Sequence, residues 1–401
     1  MSAPRPATFR FGEQAVPFVP GDTVATALLW HGHRMLSRSV KYRRARGPSC
    51  LAGDCGTCLA RIDGKPNVRT CTTPAAGGLL VEPQNLLLGQ AGDPADLAGD
   101  HLPVLDHHHM FVRPRVVNEA MKKVARRLAG LGTVPDGPGV RRPHRDAAPE
   151  VLVVGAGPAG RAATAALAAA GLSVVCLERR PAPSGETPAH VRYRAGVFGV
   201  YPREGVVAAI EDDGDDPGLV RYRPKVLLLA TGARDVPPRV PGNDLPGVVA
   251  AAALLDACRR TGRRPPGGTV CVGDGARAAA LASKLGVDHV PLDEVVRFEG
   301  RRGVAAIRTR DRTVPCRVAA FAGARSGRFE LAAQAGGRVR FDGAGFVPEL
   351  DGGRRLAGAA APFAVFACGD LVRPGRPDEA AEDGRAAAAR ILAAFDERAP
   401  S

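Results

Sequence analysis

Four cysteines near the N-terminus, Cys50-x4-Cys55-x2-Cys58-x12-Cys71, constrain this chain more than any other feature. Three thiols fall in one short stretch and a fourth returns later, so the backbone must wrap around a common centre. Four thiolates at this spacing are the ligand set of a plant-type [2Fe–2S] centre, which moves one electron at a time. Gly53 and Gly56 suit a loop that wraps closely, with its N–H groups turned toward the sulfurs. Leu59–Ile62 and Asn67–Thr70 read as a hairpin with a four-residue loop, Asp63-Gly64-Lys65-Pro66, which sets Cys71 opposite Cys58. Arg43, Arg44, Arg46, Arg61 and Arg69 stand near in sequence and can offset the negative charge of a cluster. The competing readings are a zinc site, which prefers two Cys-x2-Cys pairs, or a pair of disulfides, which a cytosolic chain disfavours. The other five cysteines, Cys176, Cys258, Cys271, Cys316 and Cys368, are scattered among apolar residues and read as buried structural thiols.

The length, 401 residues, suits two or three domains, and the 45% apolar content supplies ordinary cores. The net charge of +14 is spread along the chain without a polybasic tail or an aromatic stacking platform. That pattern argues against nucleic acid and for an acidic partner subunit or an anionic cofactor. No apolar run reaches the length of a membrane span, and the first residues lack a signal-type stretch, so a soluble cytoplasmic protein is expected. His107-His108-His109 makes a poor chelate, because consecutive side chains diverge; a surface or subunit-contact role is expected instead.

Two short strands, Thr8–Phe11 and Val16–Phe18, precede a helix over Thr23–His31 with Asp22 as its N-cap. With the cysteine loop and a strand at Leu79–Glu82, they outline a β-grasp, ferredoxin-like domain over 1–90. Residues 91–148 read as a linker that carries one basic amphipathic helix, Asn118–Ala129.

Residues 150–178 then run strand, Gly155-x-Gly157-x-x-Gly160, alanine-rich helix, strand, and a terminal acid, Glu178. The complete order makes this a dinucleotide-binding turn: Gly155 for the tight turn, Gly157 for pyrophosphate approach, Gly160 for helix–strand packing. Pro158 and Ala159 open the helix whose N-terminus attracts the phosphates, and Glu178 is expected at a ribose 2′-OH. A buried strand enters Ala230-Thr231-Gly232-Ala233, and another ends in Cys368-Gly369-Asp370 before a helix over Asp378–Phe395. Between them lies a weaker glycine turn, Gly273-Asp274-Gly275, after which the usual helix and strand are shortened or missing.

The order GxGxxG, Ala-Thr-Gly, Gly-Asp resembles the two-dinucleotide-binding flavoproteins. That resemblance implies FAD at the first turn, with Thr231 and Gly232 beside it and Gly369 and Asp370 at its ribityl–phosphate region. It implies a nicotinamide-type domain at Gly273 and Gly275, with NAD(H) left open as a second or replacement dinucleotide. A ferredoxin-like segment ahead of this fold is similar to the α subunits of heteromeric sarcosine, opine and hydroxyproline oxidoreductases and of hydrogen cyanide synthase. The likeness is carried by Ser39–Gly47, Phe111–Pro114, Ala230–Arg234 and Pro241-Gly242-Asn243-Asp244-Leu245-Pro246-Gly247-Val248.

The expected fold is therefore a mixed α/β and α+β multidomain chain: the ferredoxin-like domain, an FAD-binding Rossmann-like domain over 149–256 and 362–401, and a shortened NAD(P)-binding-like domain over 257–361. The resemblance implies an electron-transfer α subunit with no catalytic residue of its own. A D-amino-acid-oxidase-like flavoprotein β subunit, with small additional subunits, would oxidise the C–N bond of sarcosine, proline, hydroxyproline, glycine or an opine and deliver the electrons here. It also implies that the folate-binding half of the large sarcosine oxidase subunit is lacking. The alternatives are a self-contained NAD(P)H-dependent iron–sulfur flavoprotein reductase and a non-catalytic assembly subunit with a structural dinucleotide.

Overall fold

The computed structural model describes residues 7–39, 44–86, 113–128, 144–182, 187–212 and 217–397. His107–His109 lie outside them. The chain divides into two compact units, Met1–Gly137 with Pro237–Gly323, and Pro138–Val236 with Ala324–Ser401. No helix among the described residues is long and apolar enough to cross a membrane.

In the first unit, a mixed five-stranded sheet is ordered Gln14–Pro17, Thr8–Phe11, Leu80–Glu82, Leu59–Ile62, Lys65–Arg69. The Leu80–Glu82 strand runs parallel to Thr8–Phe11 and antiparallel to Leu59–Ile62, the pairing of a β-grasp. The helix Val24–Trp30 packs beneath it with Val24 through Leu29 buried. Its N-cap is Thr23, which forms a reciprocal capping box with Thr26, and not Asp22 as expected. Asp22 is instead a buried anchor. Its carboxylate accepts from Val19 N (3.0 Å) and Thr26 Oγ1 (2.8 Å) and pairs with Arg263 (3.0 Å).

Arg263 lies in a loop that leads into a second sheet of the same unit. Four parallel strands are ordered Val248–Ala250, Val318–Ala322, Thr269–Gly273, Asp288–Val290, with helices Ala251–Thr261 and Gly275–Leu285 packed on it. After Val290 a three-stranded antiparallel meander, Val295–Glu299, Ala306–Thr309 and Thr313–Pro315, stands in place of further parallel strands. This sheet thus begins at Val248 and closes at Ala322, rather than spanning 257–361. The pairing of Val248–Ala250 with Val318–Ala322 is what draws the Ala251–Thr261 helix into it. The two sheets share one core, in which Leu28, Leu29 and Val81 join Leu254, Leu255 and Cys258. Trp30 Nε1 donates to Arg264 O at 2.8 Å.

The second unit holds a five-stranded parallel sheet, ordered Val191–Arg192, Val174–Leu177, Val151–Val154, Val226–Leu229, Ala364–Ala367. The last three strands are buried at every position, which is why they read as unbroken apolar runs. An antiparallel meander, Ala195–Tyr201, Val206–Asp212 and Pro217–Tyr222, adds His144–Ala147 as a parallel edge. Those four residues were expected in the linker. Arg145 reaches the buried Glu211 of the meander and fixes them as a strand.

Asp22 has no exposed side-chain surface, and Arg263 only 20%. Removing one partner of such a pair strands the other, at a cost of about 3 kcal/mol or more. Asp22→Ala should therefore lower the denaturant midpoint of the first unit clearly. A midpoint equal to wild type would show that the pair adds no stability.

Candidate cluster and dinucleotide sites

The cysteine loop is shaped by its backbone. Leu51, Gly53 and Gly56 all have positive φ, at 50°, 81° and 65°, and this left-handed turning folds the loop back on itself. Asp63 and Gly64 also have positive φ and make a two-residue hairpin turn, so Ile62 pairs directly with Lys65. The loop is two residues, not four. Pro66 lies in the outermost strand of the sheet, where its missing N–H costs no ladder bond. The hairpin still carries Cys71 to Cys58, and their sulfurs stand 3.3 Å apart.

Backbone amides converge on the sulfurs. Gly53 N donates to Cys71 Sγ at 3.2 Å, while Ala52, Asp54 and Cys55 N approach Cys50 Sγ at 3.4, 3.2 and 3.4 Å. Such bonds stabilise negative sulfur and tune a cluster's potential. Hydrogen bonds from Cys55 and Cys71 hold the Cys50 thiol well below the usual range, and the bond with Cys71 brings Cys58 down to about 7. Cys55 and Cys71 are pushed up by the same bonds, Cys55 by Cys50 and Cys71 by Cys50 and Cys58. Metal binding displaces whatever protons the four sulfurs share. All nine cysteines are free thiols. No three His, Cys, Asp or Glu side chains among the described residues close on a single point as a lone ion demands. A binuclear cluster asks only two thiolates of each iron, and the residues present fit it. Cys58 and Cys71 are buried, Cys50 half-buried and Cys55 exposed. Of the expected arginines, Arg43 lies outside the described residues. Arg44 and Arg46 are held by Asp244, and Arg61 donates to Gly64 O.

In the second unit, Gly155, Gly157, Pro158, Ala159, Gly160, Thr231, Gly232, Gly369 and Asp370 gather beyond the C-terminal ends of three neighbouring parallel strands. A Cβ on Gly155 would stand 2.4 Å from Ala230 O, and one on Gly160 only 1.8 Å from Gly155 O. Both glycines are thus required by the fold. Gly157 differs: a Cβ there would have no protein atom within 4 Å. It caps a helix with Pro158 in the first turn, so open space adjoins the first N–H groups of that helix, which have no intrahelical partner. That is a cradle for a pyrophosphate. Glu178 is buried at the end of its strand. Its Oε2 accepts from Ala156 N (3.0 Å) and its Oε1 from Arg180 N (3.0 Å). Burial opposes its charge, but Arg180 and these amides hold the carboxyl below its usual range, so it accepts hydrogen bonds as a carboxylate.

The flavin end departs from the expected pattern. Gly369 N donates to Asp383 Oδ2 at 2.7 Å, and Asp383 pairs with Arg354. Asp370, expected at a ribityl chain, is paired with Arg325 and accepts from Gly375 N. Arg325 also reaches Ala233 O (3.1 Å), and its buried Nε has no hydrogen-bond partner among the described residues. Arg328 bridges to Gly232 and Thr231 through its own backbone and guanidinium. Sequence reasoning missed Arg325, Arg328, Arg354 and Asp383, since none belongs to a recognisable motif.

The second glycine turn is built differently. A Cβ on Gly273 would meet Ala322 O at 2.5 Å, whereas Gly275 has open space. The intervening Asp274 turns its carboxylate onto Leu292 N (2.7 Å), and His289 bonds Gly273 O (2.8 Å). An acid in the turn repels a pyrophosphate, and these features do not favour NAD(H) there.

Two substitutions test these sites. Cys55→Ser should abolish the visible cluster absorbance and leave the dinucleotide bound; absorbance near wild type would refute the ligand assignment. A Cβ on Gly157 would meet no protein atom, so Gly157→Val should leave the melting point of the cofactor-free fold near that of cofactor-free wild type and empty the nucleotide site. Wild-type cofactor content in that variant would contradict the cradle.

Comparison with known proteins agrees with this arrangement. Residues 4–86 match the 2Fe-2S iron-sulfur cluster binding domain, and residues 148–224 match the FAD binding domain. The sarcosine oxidase subunit alpha of Rhizobium meliloti (strain 1021) is 29% identical over 65% of this chain, which spans 31% of that relative's own length. The hydrogen cyanide synthase subunit HcnA of Pseudomonas aeruginosa is 36% identical over 20% of this chain and 74% of its own. The crystal structure of L-proline dehydrogenase from P. horikoshii superposes with a TM-score of 0.70, covering 98% of this chain and 75% of that one at 18% identity, and so shares its fold. An iron–sulfur cluster domain followed by an FAD binding domain, with these relatives, places the chain in the α-subunit family of sarcosine oxidase, opine oxidase and hydrogen cyanide synthase.

Proposed function

We propose that this chain is the electron-transfer subunit of a heteromeric, cytoplasmic oxidoreductase acting on the C–N bond of a small amino or imino acid such as sarcosine, proline, hydroxyproline, glycine or an opine. The observation that carries the proposal is the convergence of four cysteine sulfurs and four backbone amides on one loop. Such a loop serves electron transfer rather than substrate chemistry.

Cys50, Cys55, Cys58 and Cys71 would hold a [2Fe–2S] cluster, and the turn Gly155–Gly160 with Glu178 would hold the ADP half of FAD. When bound, a flavin exchanges electrons in pairs or singly and a [2Fe–2S] centre singly. The chain's own groups orient and insulate. The helix N-terminus at Gly157 binds phosphate, Glu178 accepts a ribose hydroxyl, and burial of Cys58 and Cys71 keeps water from half of the sulfur set. Arg325, through Asp370, and Arg328, through Thr231, would supply the cations at the flavin end. No catalytic residue is assigned. Substrate oxidation is placed in a D-amino-acid-oxidase-like flavoprotein β subunit, with small further subunits compatible. The Asp274 turn gives no support to a self-contained NAD(P)H reductase.

The test is anaerobic co-expression with such a flavoprotein. Addition of the amino acid should reduce the cluster in the complex, seen as its electron paramagnetic resonance signal, whereas NADH added to the chain alone should leave the flavin oxidised. Rapid bleaching by NADH would favour the self-contained reductase. Stoichiometric iron that substrate never reduces would favour an assembly subunit.

A further inference from the structure

We propose that the second nucleotide-type sheet serves as the cradle of the cysteine loop, with Asp244 as the positioning residue through which it sets the charge around the cluster. The proposal rests on the [2Fe–2S] reading and goes beyond it, since it gives a role to a domain whose glycine turn suits a nucleotide poorly.

Three ties carry it, all within the first unit. Asp244 lies in the segment Pro241–Val248, which leads into the second sheet, and pairs with Arg44 (3.3 Å) and Arg46 (3.4 Å). Arg46 closes a two-residue strand, and the next residue, Gly47, accepts from Thr57 Oγ1 at 2.8 Å. That same hydroxyl oxygen lies 3.0 Å from Cys55 Sγ. A contiguous path of contacts thus joins the Asp244 carboxylate to a cluster sulfur. Second, Ser49 O, one residue before Cys50, accepts from Ala250 N (2.8 Å), the N-cap of the helix Ala251–Thr261. Third, Gly47 is clamped. A Cβ there would stand 1.9 Å from Arg34 O and 3.1 Å from Pro246 Cβ, while Arg34 donates to Val304 O, in a loop of the meander, and to Arg317 O, just before the strand Val318–Ala322. The approach to the cysteine loop is therefore held by the second domain on both sides.

The electrostatic consequence has a definite sign. Asp244 and Arg46 are only 31% and 27% exposed, so their charges are incompletely screened. Asp244 compensates two guanidinium groups beside the loop. A cluster that accepts an electron becomes more negative, and uncompensated cations nearby favour that form.

Asp244→Asn in the full chain, purified anaerobically and titrated with the reduced cluster followed by electron paramagnetic resonance, should keep wild-type cluster content and shift the midpoint potential upward. Asp244→Glu should restore the wild-type potential. Arg46→Gln removes a cation and should shift it downward, which supplies the reading if Asp244→Asn does not fold. A potential at or below wild type in Asp244→Asn, or an unchanged one in Arg46→Gln, would overturn the proposal. Absence of a [2Fe–2S] spectrum in the wild-type chain would overturn the cluster reading instead.

Discussion

Four thiol groups crowded into hydrogen-bonding contact are poorly stable by themselves. Full ionisation would bring like charges to within a few ångströms, so the sulfurs share protons, with Cys50 and Cys58 low and Cys55 and Cys71 high. The loop nevertheless keeps them together, because Gly53, Leu51 and Gly56 take left-handed backbone and the amides of Ala52, Gly53, Asp54 and Cys55 face sulfur. Backbone dipoles arranged this way stabilise negative charge on sulfur. Iron in place of the protons resolves the repulsion, and the remaining scaffold can be understood as what holds this loop in shape.

That scaffold is larger than the β-grasp. The helix Val24–Trp30 buries Leu28 and Leu29 fully, each contributing about 1.5–3 kcal/mol, and part of what they are buried against belongs to the second sheet. The buried Asp22–Arg263 pair and the Trp30–Arg264 bond fix the same junction. The iron–sulfur segment is thus integrated into a nucleotide-type fold rather than tethered to one. In the other unit the dinucleotide turn is rigid where helix and strand touch, at Gly155 and Gly160, and open where a phosphate would sit, at Gly157. A Cβ on Gly384 would stand 2.1 Å from Ala159 O, so the helix Ala380–Asp396 packs tightly on the helix that begins there.

Much of this was legible in the sequence because it is local. The cysteine spacing, the strand–turn–helix–strand ending at Glu178, and the apolar runs before Ala230 and Gly369 each occupy one continuous stretch. Local signals also misled. Pro66 read as loop, yet it sits in an edge strand that needs no donor there. Asp22 read as a cap, yet its carboxylate is buried against an arginine more than two hundred residues later. His144–Ala147 read as linker, because its partner strand, Pro217–Tyr222, is distant in sequence. The pairing of Val248–Ala250 with Val318–Ala322 moved a domain boundary for the same reason. Arg325 was invisible, since nothing around it marks an arginine that will meet Asp370.

The account stands or falls on one polypeptide carrying both centres. The most direct measurement is iron, acid-labile sulfide and released dinucleotide, determined per chain on protein purified without oxygen. The account predicts about two irons, about two sulfides and about one adenine dinucleotide. Zinc in place of iron, or a chain with neither sulfide nor dinucleotide that still supported full turnover in its complex, would contradict it.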